Sequence, residues 1–448
     1  MKKIALNTLL VFTSIMWSQT NPVITSWLRN TTGITGRHYV SGNPTPINDA
    51  VLANVQTIQY SNNWVYVTTN GIPAYITGPF LDGNPSLATS RNGAIFRFPL
   101  NPTQNTGTPT STNGGNIGLF KNGVALFDYR DGVSWKNSTS QVCGGPIMGC
   151  TGDGVWNRDA VYAERVGFDC AKAHPAMGNY HHHQNPSAFN LDLVQLSNIC
   201  ATYPSDGLYV INPNEHSPLI GFAYDGFPIY GAYGYANADG TGGIVRIKSS
   251  YQLRNITVRT HYANGTNVTD GPPVNSTYPL GYFREDYEFV AHNTADYLDE
   301  HNGRFCVTPE YPNGIYCYFT TVDANHNSAY PYAVGPTFYG NKTASTVTSV
   351  SETTTQYTLE NADFNLSDLN IKVYPNPAQE FIAIQTDIQE KDLEVTLIDA
   401  LGKQLQTQKI VQGSTLCIFD LSSVYNGTYF IKIANNTTDK TVKIIVNK

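Results

Sequence analysis

The sequence predicts an all-β protein of two parts, a large sandwich-like domain with few short helices and a small immunoglobulin-like sandwich at the C-terminus. Three observations carry this. Charged residues make up only 14% of the 448 positions, while Gly, Pro, Asn, Thr and Tyr are abundant, a composition suited to strands and turns rather than to Glu/Lys/Ala/Leu-rich surface helices. Short alternating runs recur along the chain, separated by turn residues. Strong two-residue turn signals sit between such runs, as at Asn122–Gly123 and Asp225–Gly226.

Residues 1–19 read as a signal peptide: Lys2 and Lys3 precede the apolar run Ile4 to Trp17. That run falls short of the roughly 20 residues a membrane helix needs, and no membrane span is expected in the mature chain. A net charge of −7 gives no electrostatic reason to expect nucleic acid. The large domain is expected over 20–340. It carries short aromatic runs at 64–69, 94–100 and 118–129, a hairpin at 221–231, and its best helical candidate at 158–166. Residues 341–370, rich in Ser, Thr and Asn, are expected as a linker. Beyond them, FIAIQ, LEVTLID, TLCIF, TYFIKI and TVKIIV form the alternating runs of a module over 371–448.

Export permits disulfides. Six of the seven cysteines fall into local pairs: Cys143 with Cys150, Cys170 with Cys200, Cys306 with Cys317. The last pair is expected to face across a hairpin turning at 309–314, where opposed Cα atoms come about 4.5 Å apart. Cys417, in the alternating run TLCIF, is expected to be a small buried hydrophobe.

The chemistry concentrates in FDCAKAHPAMGNYHHHQNP, residues 168–186, with four of the ten histidines. On an extended backbone His181 and His183 share one face and His182 takes the other. Two imidazoles so placed can bind one divalent transition metal, copper or zinc, with His174 returning from the preceding loop as a third ligand and His216 as a fourth. Other polar positions read as structural. Asp225 suits its turn, and Arg158 and Asp159 an ion pair or hydrogen bonds; in the polar cluster of Asp296, Asp299, Glu300 and His301 before a hairpin, Asp299 and Glu300 suit a solvated turn. HExxH, G-x-S-x-G and P-loop motifs are absent. DANHN at 323–327 fails as a calcium loop at Ser328 and Val334.

Two resemblances follow from ordered motifs. GDGVWNRDAVYAE (152–164), the histidine segment, HSPLIGFAYDGFPIYGAYGY (216–235), LGYFREDYEF (280–289), LDEHNGRFCVTPEYPNGIYCYFTT (298–321) and YPYAVGPTFYG (330–340) resemble the YHYH-domain proteins. Their name-giving tetrad stands here as YHHH at 180–183, with His182 where a tyrosine is usual. The family implies little chemistry. VYPNPA (373–378), IDALGK (398–403), LSSVYNGTYFIKI (421–433) and KIIVNK (443–448) resemble the type A sorting domain of the type IX secretion system of Bacteroidetes. That resemblance implies passage to the cell surface or medium, with the secretion machinery as partner of residues 371–448. A non-catalytic adhesion or glycan-binding module, using the 29 tyrosines, is the alternative to a metal centre.

Overall fold

The computed structural model describes residues 20–80, 93–176, 178–187, 198–358, 371–386, 392–400, 402–434 and 439–448. The expected signal peptide lies outside them. The chain divides into two compact units between Tyr357 and Thr358.

In the first unit one mixed sheet organises the chemistry. Its strands are β1 (Asn116–Phe120), β2 (Ala125–Phe127), β3 (Ala173–Ala176), β4 (Asn179–His182), β5 (Leu219–Ala223), β6 (Pro228–Tyr230), β7 (Gly303–Cys306) and β8 (Ile315–Phe319). Their order across the sheet is β3-β4-β2-β1-β5-β6-β8-β7. The β1–β2 turn closes where Gly123 donates to the Phe120 carbonyl, with Gly123 at φ +81°. The β5–β6 turn closes likewise through Gly226, at φ +90°, onto Ala223. Both positions need the left-handed backbone that glycine adopts without penalty.

A second sheet of five strands includes Val55–Tyr60, Trp64–Thr69 and Ala94–Pro99. Alternation along Trp64–Thr69 sends Val65 and Val67 inward, and along Ala94–Pro99 it sends Phe96 and Phe98 inward. These side chains share one core with Leu119, Phe222, Ile229 and Tyr318 of the eight-stranded sheet. Trp27 joins the two sheets, its ring 5.5 Å from Phe98 and 5.3 Å from Phe222. The two sheets thus pack face to face, and the central strands of the eight-stranded sheet are buried on both sides.

Three expectations need correction. Of the stretch expected as a linker, residues 359–370 lie outside the described residues, and the described part supplies two strands to the second sheet: Ser345–Val347 pairs with Ala94–Pro99, and Thr355–Gln356 with Val55–Tyr60. Short polar segments can do this because an open sheet edge asks only for backbone hydrogen bonds. The Cys306–Cys317 facing fails by two residues. Cys306 stands opposite Ile315, and Cys317 opposite Arg304. The strand ends early because Val307 donates its N–H to Ala238 instead of continuing the ladder. The two cysteines are buried free thiols, diagonal neighbours on one face. The other two disulfides form, with Cα–Cα distances of 5.3 Å for Cys143–Cys150 and 5.4 Å for Cys170–Cys200. The helix expected over 158–166 is confined to Ala160–Glu164.

The second unit is a sandwich of a three-stranded and a four-stranded sheet. Its core includes Ile382, Ile384, Val395, Leu397, Phe419, Ile431 and Ile433, with Cys417 buried among them as expected. Gln404–Ile410 is a strand the alternation did not reveal, because it is largely polar and exposed and buries only its last residue fully.

Candidate metal centre

The histidine segment is held by its approach as well as by its strands. Asp169 fixes the turn that leads into β3. Its carboxylate accepts from the backbone N–H groups of Gly78, Ala171 and Ala173 and from the Tyr180 hydroxyl. The Cys170–Cys200 bridge ties the same turn to residue 200. β3 then pairs antiparallel with β4, setting His174 directly opposite His181. On its other side β4 runs parallel to β2, with His181 beside Ala125 and His182 beside Leu126.

This frame separates the consecutive histidines by face. His181 and His183 converge with His174, and the three offer ligand nitrogens within 4.8 Å of one another. All three are buried, at 7% exposure or less. Phe127 stacks on His181 at 3.9 Å between centroids, and Phe168 meets the His174 ring edge at 5.2 Å. His182 points the other way. Its Nδ1 donates to the Lys172 carbonyl at 3.3 Å and its Nε2 accepts from the Tyr75 hydroxyl at 2.7 Å.

Proton placement within the cluster follows from partners. His181 Nδ1 lies 2.8 Å from the Asn179 carbonyl, and His183 Nδ1 lies 2.6 Å from the Asp128 carbonyl. A carbonyl only accepts, so both Nδ1 atoms carry hydrogen, and in the neutral rings both Nε2 atoms turn lone pairs inward. Those two Nε2 atoms stand 3.1 Å apart. Burial, with His183 and His174 nearby, pushes the His181 imidazole well below its usual pKa, which disfavours a proton there.

A fourth group was not foreseen from the sequence. Glu164 ends the short helix Ala160–Glu164, and its Oε2 lies 3.1 Å from Nε2 of His174 and 3.1 Å from Nε2 of His183. Burial works to raise this carboxyl, but hydrogen bonds and charge attraction from His174 and His183 in their protonated forms prevail and hold it well below the usual carboxylate range. The helix is anchored at its start. Asp159 accepts from the Tyr162 N–H and from the Tyr332 hydroxyl at 2.7 Å, while Ala160 donates to the Tyr129 carbonyl. The available signal was an acidic residue closing the best helical segment, ten positions before His174.

His216, expected as a fourth ligand, does not join the cluster. Its Nδ1 donates to the Ser217 carbonyl at 2.8 Å, and its ring packs among Tyr230, Tyr235 and Phe319. Of the residues read as structural, Asp225 accepts from the Tyr318 hydroxyl and the Gly340 N–H. Asp299 accepts from the N–H groups of His301 and Gly303, and Asp296 pairs with Lys248 at 2.6 Å. Many of the tyrosines that could have stacked on sugars are packed inside, among them Tyr129, Tyr180, Tyr230, Tyr318, Tyr330 and Tyr332.

An all-β sandwich with histidines converging from one hairpin is the class that fold and site define. The chain belongs to the YHYH protein family, whose model matches residues 95–331, more than half its length. A secretion system C-terminal sorting domain matches residues 372–447. This tail makes the protein a secreted or cell-surface one and implies contact with the type IX secretion machinery. No curated protein matches the chain. No helix among the described residues is long and apolar enough to cross a membrane.

Proposed function

We propose that this exported protein binds one divalent transition-metal ion, zinc or copper, through the Nε2 atoms of His174, His181 and His183. One observation carries the reading. Two imidazole nitrogens whose hydrogens are committed elsewhere face each other at 3.1 Å, with a carboxylate oxygen 3.1 Å from one of them. Lone pairs brought this close repel unless a proton or a metal ion lies between them, and neutral imidazole is a good donor to zinc and copper. A tetrahedral ion with bonds of about 2.0–2.1 Å sets its donors about 3.3 Å apart. Loading therefore draws the widest-spaced pair of the cluster inward.

The carbonyl partners of His181 and His183 act as outer support. They fix each ring's tautomer and orientation, as such partners do for metal-bound histidine. The Phe127 and Phe168 rings lower the local dielectric and so strengthen the bonds between ion and ligand.

Metal analysis of protein matured through its native secretion route tests the proposal. Wild-type protein should carry one equivalent, and the His181→Ala/His183→Ala double variant should retain less than about one tenth of that. Equal metal in both proteins would refute it.

A further inference from the structure

We infer that Glu164 is a fourth protein ligand, closing the three-histidine centre into a three-nitrogen, one-oxygen set. The inference rests on the three-histidine reading and adds to it the coordination number and charge of the centre.

Geometry carries it first. Four donor atoms have six separations, and three of these are 3.1 Å: His181 Nε2 to His183 Nε2, His174 Nε2 to Glu164 Oε2, and His183 Nε2 to Glu164 Oε2. Each is close to the edge of about 3.3 Å that a tetrahedral ion imposes at 2.0–2.1 Å. An oxygen this near two of the three ligand nitrogens lies within reach of an ion that they bind.

Topology carries it second. The three imidazoles come from one hairpin and its immediate continuation, whereas Glu164 arrives on a separate helix held by Asp159 and the Tyr129 carbonyl. A side chain delivered by an independent element can cover the side of the ion that the hairpin leaves open.

Charge is the third argument. Three neutral imidazoles leave a divalent ion at +2 in a buried, aromatic-walled site, and burying uncompensated charge is costly. One carboxylate halves that charge. The carboxylate also selects the class of ion: beside three imidazoles it suits a divalent zinc-like ion over monovalent copper, which prefers soft sulfur ligands.

A closed set and an open one differ in a measurable way. With Glu164 bound, no water occupies the fourth position. With it removed, a water takes that place and ionises near pH 7, as water on a three-histidine zinc does. Cobalt(II) reports the difference through its visible spectrum.

The experiment loads the metal-free secreted protein with cobalt(II) and records spectra between pH 6 and about 9. Wild-type protein should take one equivalent and give a spectrum that does not change with pH. Glu164→Ala should bind at least about tenfold more weakly, and its spectrum should show a single transition near neutrality. A wild-type spectrum that itself titrates overturns the inference, as does a Glu164→Ala protein with unaltered affinity and spectrum. In both cases the three-histidine centre survives. Failure of folded wild-type protein to take up cobalt removes both readings. The wild-type arm decides the matter even where the variant does not fold.

Discussion

Two faces of one short strand use the same side chain for opposite ends. On one face His181 and His183 satisfy their Nδ1 atoms with carbonyls and leave their Nε2 atoms confronting each other. On the other, between them in sequence, His182 is saturated: Nδ1 donates to Lys172 and Nε2 accepts from Tyr75. Its ring packs edge-on against Tyr75, Phe120 and Tyr180. Residue type therefore says little about the role of an imidazole here. What decides it is whether the second nitrogen finds a proton partner or another lone pair.

That contrast can be broken most forcibly from the metal side. Replacing His183 by Ala should weaken zinc binding by at least about a hundredfold, the loss of a direct ligand exceeding the 10–100-fold typical of outer partners. Competition with a chelator of known affinity measures this. Replacing His182 by Ala should do the reverse, leaving one equivalent of metal bound while lowering unfolding free energy by about 2–4 kcal/mol. That range combines a vacated buried volume with an orphaned Tyr75 hydroxyl, and urea denaturation of the metal-free protein reads it.

The pH dependence sharpens the comparison further. Burial, the largest influence, pushes the His182 imidazole down to about 3 from an ordinary 6.5. Between those values the unfolded chain takes up a proton that the folded residue refuses, so its contribution to stability falls as pH drops through that window. His181, also depressed, acts in the same direction. In His182→Gln the slope of stability against pH in this interval should flatten by up to about 1.4 kcal/mol per pH unit, as measured by denaturation of metal-free protein across the range. A smaller effect is expected at His216. Replacing it by Ala should cost about 1 kcal/mol of aromatic packing and leave the metal content unchanged, which elemental analysis checks.

The parts of this arrangement that depend on local rules were legible in the residues. Period-two alternation assigned His181 and His183 to one face and His182 to the other, and the Asn122–Gly123 and Asp225–Gly226 turns lie where their backbone requirements put them. What escaped was set by contacts distant in sequence. The helix ending in Glu164 reaches the histidines because Asp159 meets Tyr332, far along the chain. Nothing in its own residues specifies that neighbour. Cys306 lost its expected partner because Val307 bonds to Ala238, so the loop grew beyond what turn residues alone define. His216 opens a segment that leads into β5, and only the packing of Tyr230, Tyr235 and Phe319 around it shows that it belongs to a different cluster. The polar strand Gln404–Ile410 escaped because an edge can be paired with almost no buried side chain.

Anomalous diffraction from crystals of the natively secreted protein, recorded on either side of the zinc and copper absorption edges, tests the central claim most directly. One strong peak is expected about 2.0–2.1 Å from the Nε2 atoms of His174, His181 and His183. A fully occupied, well-ordered cluster with no peak between these nitrogens, or a peak bound elsewhere while they hold only protons, would contradict it.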